Sequence, residues 1–421
     1  MKSLVTGWRR LSLIQQILIG MVLGIMLGLF VPRWSAIGIL GELFIGALTA
    51  IAPLLVFVLI IAAVSRHKPG SKTHIQTVVG FYLVGTFFSA FSAVVAAYLF
   101  PVRLVLPNAT DIGSAPTDLV QTLRGILLNA IMNPIQALTS GNYLAILVWA
   151  VLIGLALQRA SDTTKGMLND FSQAMTHVVQ LVIHFVPLGI IGIVYQSVTA
   201  VGLSSMMQYL AIIAVVCGTL LFVYFIVYGL MVALSLRQNP WPLLWFCMKS
   251  SGVPAFFTRS SAASVPVNMQ LSEELGLNRE SYAISIPLGA TANTGGAAVT
   301  VTLMTLAACH TLGVQVPFFM AFLLSLLAAI SSMGASGIAG GSLLLIPLAA
   351  SLFNIPTEVA AQVVGVGFVI SVIQDSTETA VNVASDILFT ATAEFYDSKK
   401  LGKPISLKER VKRAEREHVK N

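Results

Sequence analysis

Asp375, Glu378, Thr379, Asn382 and Asp386 follow one another at spacings of three, one, three and four inside the mostly apolar stretch 359–389. At 3.6 residues per turn, these polar side chains fall on one stripe of a helix. The stretch is long enough to cross a bilayer. An acid near the centre of such a helix costs roughly 2.5–3.5 kcal/mol on insertion scales. Three acids on one stripe are too costly for a mere polar seam between helices. Residues of this kind face a bundle interior and mark an ion or substrate path.

The composition agrees. The chain has 421 residues, 56% hydrophobic and 10% charged, with a mean hydropathy of +0.87. That describes a polytopic, all-α membrane protein and excludes a soluble domain. Cys217, Cys247 and Cys309 are scattered and form no CxxC pair or disulfide framework. The basic start, Lys2 to Arg10, runs into an apolar stretch at 11–31 that is too long for a signal-peptide core, so it reads as a retained first helix. The net charge of +7 does not indicate nucleic acid, because the basic residues gather at the ends and in alternate loops. The tail 397–421 reads as a solvated, basic cytoplasmic tail within reach of anionic lipid.

Apolar segments fall at about 11–31, 36–65, 75–106, 121–158, 166–200, 205–236, 241–270, 281–312, 317–353 and 356–396. Two are broken at mid-depth. Pro254, Arg259-Ser260-Ser261 and Pro266 interrupt 241–270, and a Ser/Gly/Ala run from Ser331 to Ser342 interrupts 317–353. Breaks of this kind predict re-entrant helical hairpins whose tips are buried in protein or line a cavity. Each hairpin precedes a helix, 281–312 and 356–396, and such pairing points to inverted repeats with a midplane site. Eight crossings plus two hairpins put nineteen Lys and Arg on the side of both termini and Arg33, Arg103 and Arg124 on the other. The positive-inside rule makes the first side cytoplasmic.

The tip Thr258-Arg259-Ser260-Ser261 offers helix N-terminal N–H groups to an anion. The glycines of the second tip permit unwound backbone whose carbonyls can hold a cation. Pro287-Leu288-Gly289-Ala290-Thr291-Ala292-Asn293-Thr294-Gly295-Gly296 is a poor helix interior. Unwinding there frees the carbonyls of Gly289 and Asn293 for a hard monovalent cation, with Asp386 as the anionic ligand.

These motifs give the chain its resemblance to the dicarboxylate/amino acid:cation symporter family, which has the glutamate-transporter fold. They are Thr258-Arg259-Ser260-Ser261, the run 287–293, the glycine-rich second hairpin, and Asp375-x-x-x-Thr379-x-x-Asn382-x-x-x-Asp386. They cover the C-terminal third with high specificity. The resemblance implies roles. Asp375 would pair with a substrate ammonium. Asn382, Thr379 and the N–H groups near Ser260 and Ser261 would hold its carboxylate. Gly289, Asn293, Asn382 and Asp386 would form one sodium (Na+) site, and Thr291 with Ser332, Met333 and Ala335 another. Ser332, Gly334, Ala335, Ser336 and Gly337 would act as the outer gate. Residues 1–240 would be mainly scaffold and oligomerisation helices, with the third helix at 75–106 joining a core transport domain at 241–396. The resemblance also implies a homotrimer in the bacterial inner membrane and an elevator movement.

The departures from the family pattern carry information. Glu378 stands where acidic-substrate members carry an arginine. A substrate side-chain carboxylate would meet repulsion in place of a bidentate partner. A hydroxyl could donate to Glu378 instead. Ala297 replaces a hydroxyl found in those members. Both changes predict small neutral substrates, serine and threonine first. The usual Asn-Met-Asp run reads Asn293-Thr294-Gly295. With Gly295 there, and Tyr82, Gly85 and Thr86 on the earlier helix, a third sodium site is expected to be absent.

The main rival is proton- or sodium-coupled uptake of dicarboxylates or acidic amino acids on the same fold. Glu378 and the intact Asp386 argue against it. A remote rival is an intramembrane serine protease using Ser336, but the only histidine after it is His418, in the basic tail. Asp170, His177 and His184 share one helix face, read as packing or interface residues in preference to a metal or proton relay. Glu42 is a membrane acid without an evident partner in the sequence.

Overall fold

The computed structural model describes residues 11, 13–65, 75–106, 128, 131–202, 204–333, 340–402 and 405–418. Among them the regular elements are helical and no strand occurs. The first half gives α1 (Leu13–Phe30), α2 (Gly38–Ser65), α3 (Ile75–Leu99), α4 (Pro134–Ser140), α5 (Tyr143–Leu157), α6 (Asp162–Ile183) and α7 (Val186–Val201). α6 starts at Ser161, whose Oγ accepts from the Thr164 N–H at 3.3 Å. That satisfies one donor left free at a helix start. α7 leaves the axis of α6 by 53°, with Pro187 in its first turn, where the missing N–H is tolerated.

α2 and α7 cross with backbones almost touching. A β-carbon on Gly192 would lie 2.2 Å from the Gly41 nitrogen, and one on Gly189 2.4 Å from the Phe44 ring. Small residues permit this approach in a membrane, where packing drives helix association. Gly192→Val is expected to force the two helices apart at a cost of about 1–3 kcal/mol or more. Thermal unfolding in detergent should show a lowered midpoint. An unchanged midpoint would contradict the crossing.

The second half builds around one long helix. α8 (Ser204–Phe222) runs through a π turn at Val223–Tyr228 into α9 (Gly229–Leu236). α10 (Trp241–Cys247) continues through a π turn at Met248–Gly252 into α11 (Val253–Thr258), and the chain returns as α12 (Ser261–Glu274). Arg259 makes the reversal at φ 52°, in the left-handed region. This is the expected first hairpin. Across its arms Ser251 Oγ donates to Asn268 Oδ1, and Asn268 Nδ2 donates to the Val383 carbonyl at 3.0 Å. α13 (Arg279–Ala292), α14 (Gly295–Thr311) and α15 (Phe318–Ser332) follow. After them come a 3-10 turn (Gly341–Leu345), α16 (Ile346–Ser351), α17 (Thr357–Lys400) and α18 (Leu407–His418). The second hairpin's tip, with Gly334, Ala335, Ser336 and Gly337, lies outside the described residues.

α17 has 44 residues, about 66 Å at 1.5 Å per residue. That is roughly twice the hydrocarbon thickness of a bilayer. α3, α8, α11, α12, α13 and α14 all pack on it. α14 is buried from Gly295 to Cys309. By contrast Phe30, Leu99 and Leu234 are 77%, 67% and 70% exposed. Apolar surface turned outward on this scale belongs in lipid. Five described helices are long and apolar enough to cross a membrane, or six if the bent pair α6–α7 is one span. The shorter apolar helices Gln15–Phe30 and Ala145–Leu157 coincide with two further expected crossings. The protein is a multi-pass membrane protein.

The tail departs from expectation. It reads in sequence as solvated, yet 407–418 is a helix with Leu407, Val411 and Ala414 buried, packed on α10 and α12. Gln238 clasps its start, donating to the Ile405 carbonyl at 2.7 Å and accepting from the Leu407 N–H at 2.9 Å. His418 Nδ1 lies 3.1 Å from Glu274 Oε2. The apolar residues recur at helical spacing and face the first hairpin, while the basic residues take the outer side.

Candidate functional site

The polar stripe of α17 is enclosed. Asp375, Glu378, Thr379, Asn382 and Asp386 are 4%, 7%, 7%, 9% and 2% exposed. Both hairpins reach it. From the first, Arg259 donates through Nε and Nη2 to Asp375 Oδ2 at 2.8 and 2.6 Å. From the second, the Gly340 N–H donates to Asp375 Oδ1 at 3.2 Å. Arg259 comes from the hairpin tip, where its backbone is left-handed. The sequence placed Arg259 at the tip but did not assign it a partner.

One turn further, Glu378 has neutral partners only among the described residues. Its Oε2 accepts from Thr300 Oγ1 at 2.8 Å, Ser342 Oγ at 2.9 Å and Gln374 Nε2 at 2.6 Å. Thr300 and Ser342 carry no mark in the sequence that sets them apart from other buried hydroxyls. Gln374 could have been found, since it precedes Glu378 by four residues on the same helix face.

Asn382 is oriented by the break between α13 and α14. Its Oδ1 accepts from the Gly296 N–H at 2.8 Å, which leaves Nδ2 as the end that can donate to a ligand. A β-carbon on Gly296 would come within 3.0 Å of Asn382 Oδ1 and of Glu378 Cγ. Thr379 donates to the Asp375 carbonyl of its own helix at 2.8 Å, so its proton is turned away from the site. Ser260 caps α12, accepting from the Ala263 N–H at 3.2 Å. Ser261 opens that helix, whose first N–H groups form an anion-favouring end.

The helix break falls at Asn293–Thr294, and Gly289 remains helical. Asn293 Nδ2 donates to Asp386 Oδ1 at 2.9 Å, the Asn382 carbonyl at 3.1 Å and Ser385 Oγ at 2.7 Å. Among the described residues nothing donates to Asp386 Oδ2. Gly289, Asn293, Asn382 and Asp386 therefore meet at one place, with a carboxylate, carbonyls and the negative end of α13. That donor set suits a hard cation. The other expected set is placed differently. Thr291 is exposed and bonds the Leu288 carbonyl at 2.9 Å. Ser332 bonds Thr294 Oγ1 at 2.9 Å. Met333 ends α15, and Ala335 lies outside the described residues.

A β-carbon on Gly295 would lie 2.0 Å from Tyr228 Oη and 2.8 Å from Ser89 Oγ, which bond each other at 2.8 Å. Tyr228 thus fills the space an acid at 295 would need. Thr86 Oγ1 and Asn293 Oδ1 are buried without a hydrogen-bond partner among the described residues.

The model of the sodium:dicarboxylate symporter family matches residues 13–394. The chain belongs to that family. Its members have the glutamate-transporter-like fold, so the resemblance read from the motifs is kinship. Relatives of this family member include three proteins named serine/threonine transporter SstT. That of Lacticaseibacillus paracasei is 53% identical over 97% of this chain and 94% of its own length. That of Enterococcus faecalis is 52% identical over 96% of each. That of Streptococcus agalactiae is 50% identical over 94% of this chain and 98% of its own.

Outside the site, Asp170, His177 and His184 are exposed on or beside α6, and no metal-holding group of His, Cys, Asp and Glu occurs among the described residues. Glu42 has a partner after all, accepting from Gln196 Nε2 at 2.9 Å.

Proposed function

We propose that this chain imports L-serine and L-threonine by sodium symport and is a transporter, not an enzyme. The observation that carries the reading is the contrast between two neighbouring acids. Asp375 has a cationic partner, and Glu378 has three neutral donors and, among the described residues, no cation. A zwitterion's ammonium matches Asp375, and its carboxylate matches Asn382 Nδ2 and the start of α12. A side-chain hydroxyl can donate to Glu378, whereas a side-chain carboxylate meets a like charge there. The names of the relatives support the same substrates.

Sodium would sit among Gly289, Asn293, Asn382 and Asp386. Ser332, Met333, Ala335 and Thr291 would serve a second ion, and the second hairpin the outer gate. The packing of α3 with α13, α14, α15 and α17 supports a transport domain of 75–106 and 241–396 on a scaffold made of the remaining helices. The charge pattern supports cytoplasmic termini, and the bacterial relatives support placement in a bacterial inner membrane. Family kinship supports a homotrimer with an elevator movement.

A third sodium site is expected to be missing, because Thr86 and Asn293 offer neutral oxygens and no carboxylate stands at 295. Fewer ions suffice. At 100 mV and a tenfold gradient, one sodium supplies roughly 3.7 kcal/mol, enough for about 500-fold accumulation of a zwitterion. Titration of serine uptake with sodium should give a Hill coefficient no higher than two, and threonine should compete at similar concentrations. A coefficient clearly above two would contradict the missing site. Failure of threonine to compete would contradict the substrate assignment.

A further inference from the structure

The acid that separates this chain from acidic-substrate members does not stand alone. Glu378 Oε2 carries three hydrogen bonds, while among the described residues nothing donates to Oε1. The three donors come from three elements: Thr300 from α14, Ser342 from the returning arm of the second hairpin, and Gln374 from α17 itself. Thr300, Ser342 and Gln374 are 0%, 2% and 0% exposed.

The bonds also order one another. Gln374 Nε2 donates to Thr300 Oγ1 at 2.8 Å as well as to Glu378. A hydroxyl has one proton, so Thr300 gives it to Glu378 and accepts from Gln374. Gln374 Oε1 is buried without a partner among the described residues, and turning the amide over would place that oxygen against a carboxylate. The amide orientation is therefore fixed by charge. One oxygen of the carboxylate is saturated and the rotamer is held, so the other oxygen stays in a set position with no donor on it among the described residues.

We propose that Thr300, Ser342 and Gln374 are specificity-positioning residues that hold Glu378 so that its free oxygen reads the hydroxyl of the substrate. This rests on the reading of Glu378 as the group facing the substrate side chain. A site built to accept from a hydroxyl discriminates strongly against an analogue lacking it, because the acceptor is left buried and unpaired. Discrimination needs the acceptor to be fixed. A loosened Glu378 would turn either oxygen to any nearby donor and lose its preference. Ser342 brings this control to the second hairpin, next to Gly340 on Asp375.

The readout is the ratio of L-serine to L-alanine uptake, at subsaturating concentrations, by the full-length chain in proteoliposomes. A purely structural role would lower both substrates together and leave the ratio unchanged. Ser342→Ala and the near-isosteric Thr300→Val are each expected to lower the serine preference about tenfold. Ser342→Thr and Thr300→Ser, which keep the hydroxyl, should restore it. Wild-type ratios in Ser342→Ala and Thr300→Val, beside a collapsed ratio in Glu378→Gln, would overturn the positioning role and leave Glu378 as the reader. An unchanged ratio in Glu378→Gln would overturn the reading itself, and the proposal with it.

Discussion

Asp375→Asn is expected to weaken L-serine binding by at least about a hundredfold, near 2.7 kcal/mol. The substitution removes the only carboxylate placed for the substrate ammonium in this reading. It also strands Arg259, whose side chain is 9% exposed and whose charge would then be buried and unpaired. Stranding one member of a buried pair typically costs about 3–5 kcal/mol, whereas neutralising both members is often close to neutral. The double variant Arg259→Met with Asp375→Asn separates the two effects. It should recover thermal stability lost in the single variant but not serine binding. Binding recovered along with stability would mean that Asp375 serves only to hold the two hairpins together.

Gly289→Ala should reduce sodium-driven uptake at least about a hundredfold. On helix propensity alone the change should stabilise α13 by about 1 kcal/mol. Geometry reverses that sign. The new β-carbon would lie 2.5 Å from Asp386 Oδ1, 2.8 Å from Asp386 Cγ and 2.6 Å from Tyr82 Oη. Real contacts at such distances do not persist, so Asp386 must leave the place where it meets Asn293. Sodium affinity should fall before serine affinity does, read by sodium titration at saturating serine. Wild-type sodium dependence would remove Asp386 from the cation site.

The parts of the fold legible in sequence were those written in residue type. Helix breakers at mid-depth marked the first hairpin, and the turn at Arg259 confirms it. The stripe on α17 was legible because helical spacing alone places its members on one face. The partners were not legible, because they come from segments far away in sequence. Arg259 and Asp375 are separated by more than a hundred positions, and only the folded hairpin brings them together. Thr300 and Ser342 are ordinary hydroxyl residues until Glu378 is found between them. The tail was misread for the opposite reason. Its charge density masked Leu407, Val411 and Ala414, whose helical spacing was the signal of a docked face. The break near 287–296 was foreseen, and of the two positions expected to unwind, Asn293 does and Gly289 does not. Gly289 stays helical with Pro287 in the same helix, and the chain opens at Asn293, where the side-chain amide finds Asp386.

The most direct test is uptake of labelled L-serine into proteoliposomes under an inward sodium gradient, beside matched potassium and proton gradients. Uptake driven by sodium alone, competed by threonine and not by glutamate, is the predicted result. Uptake driven by protons, or strong competition by glutamate, would contradict both the coupling ion and the role of Glu378.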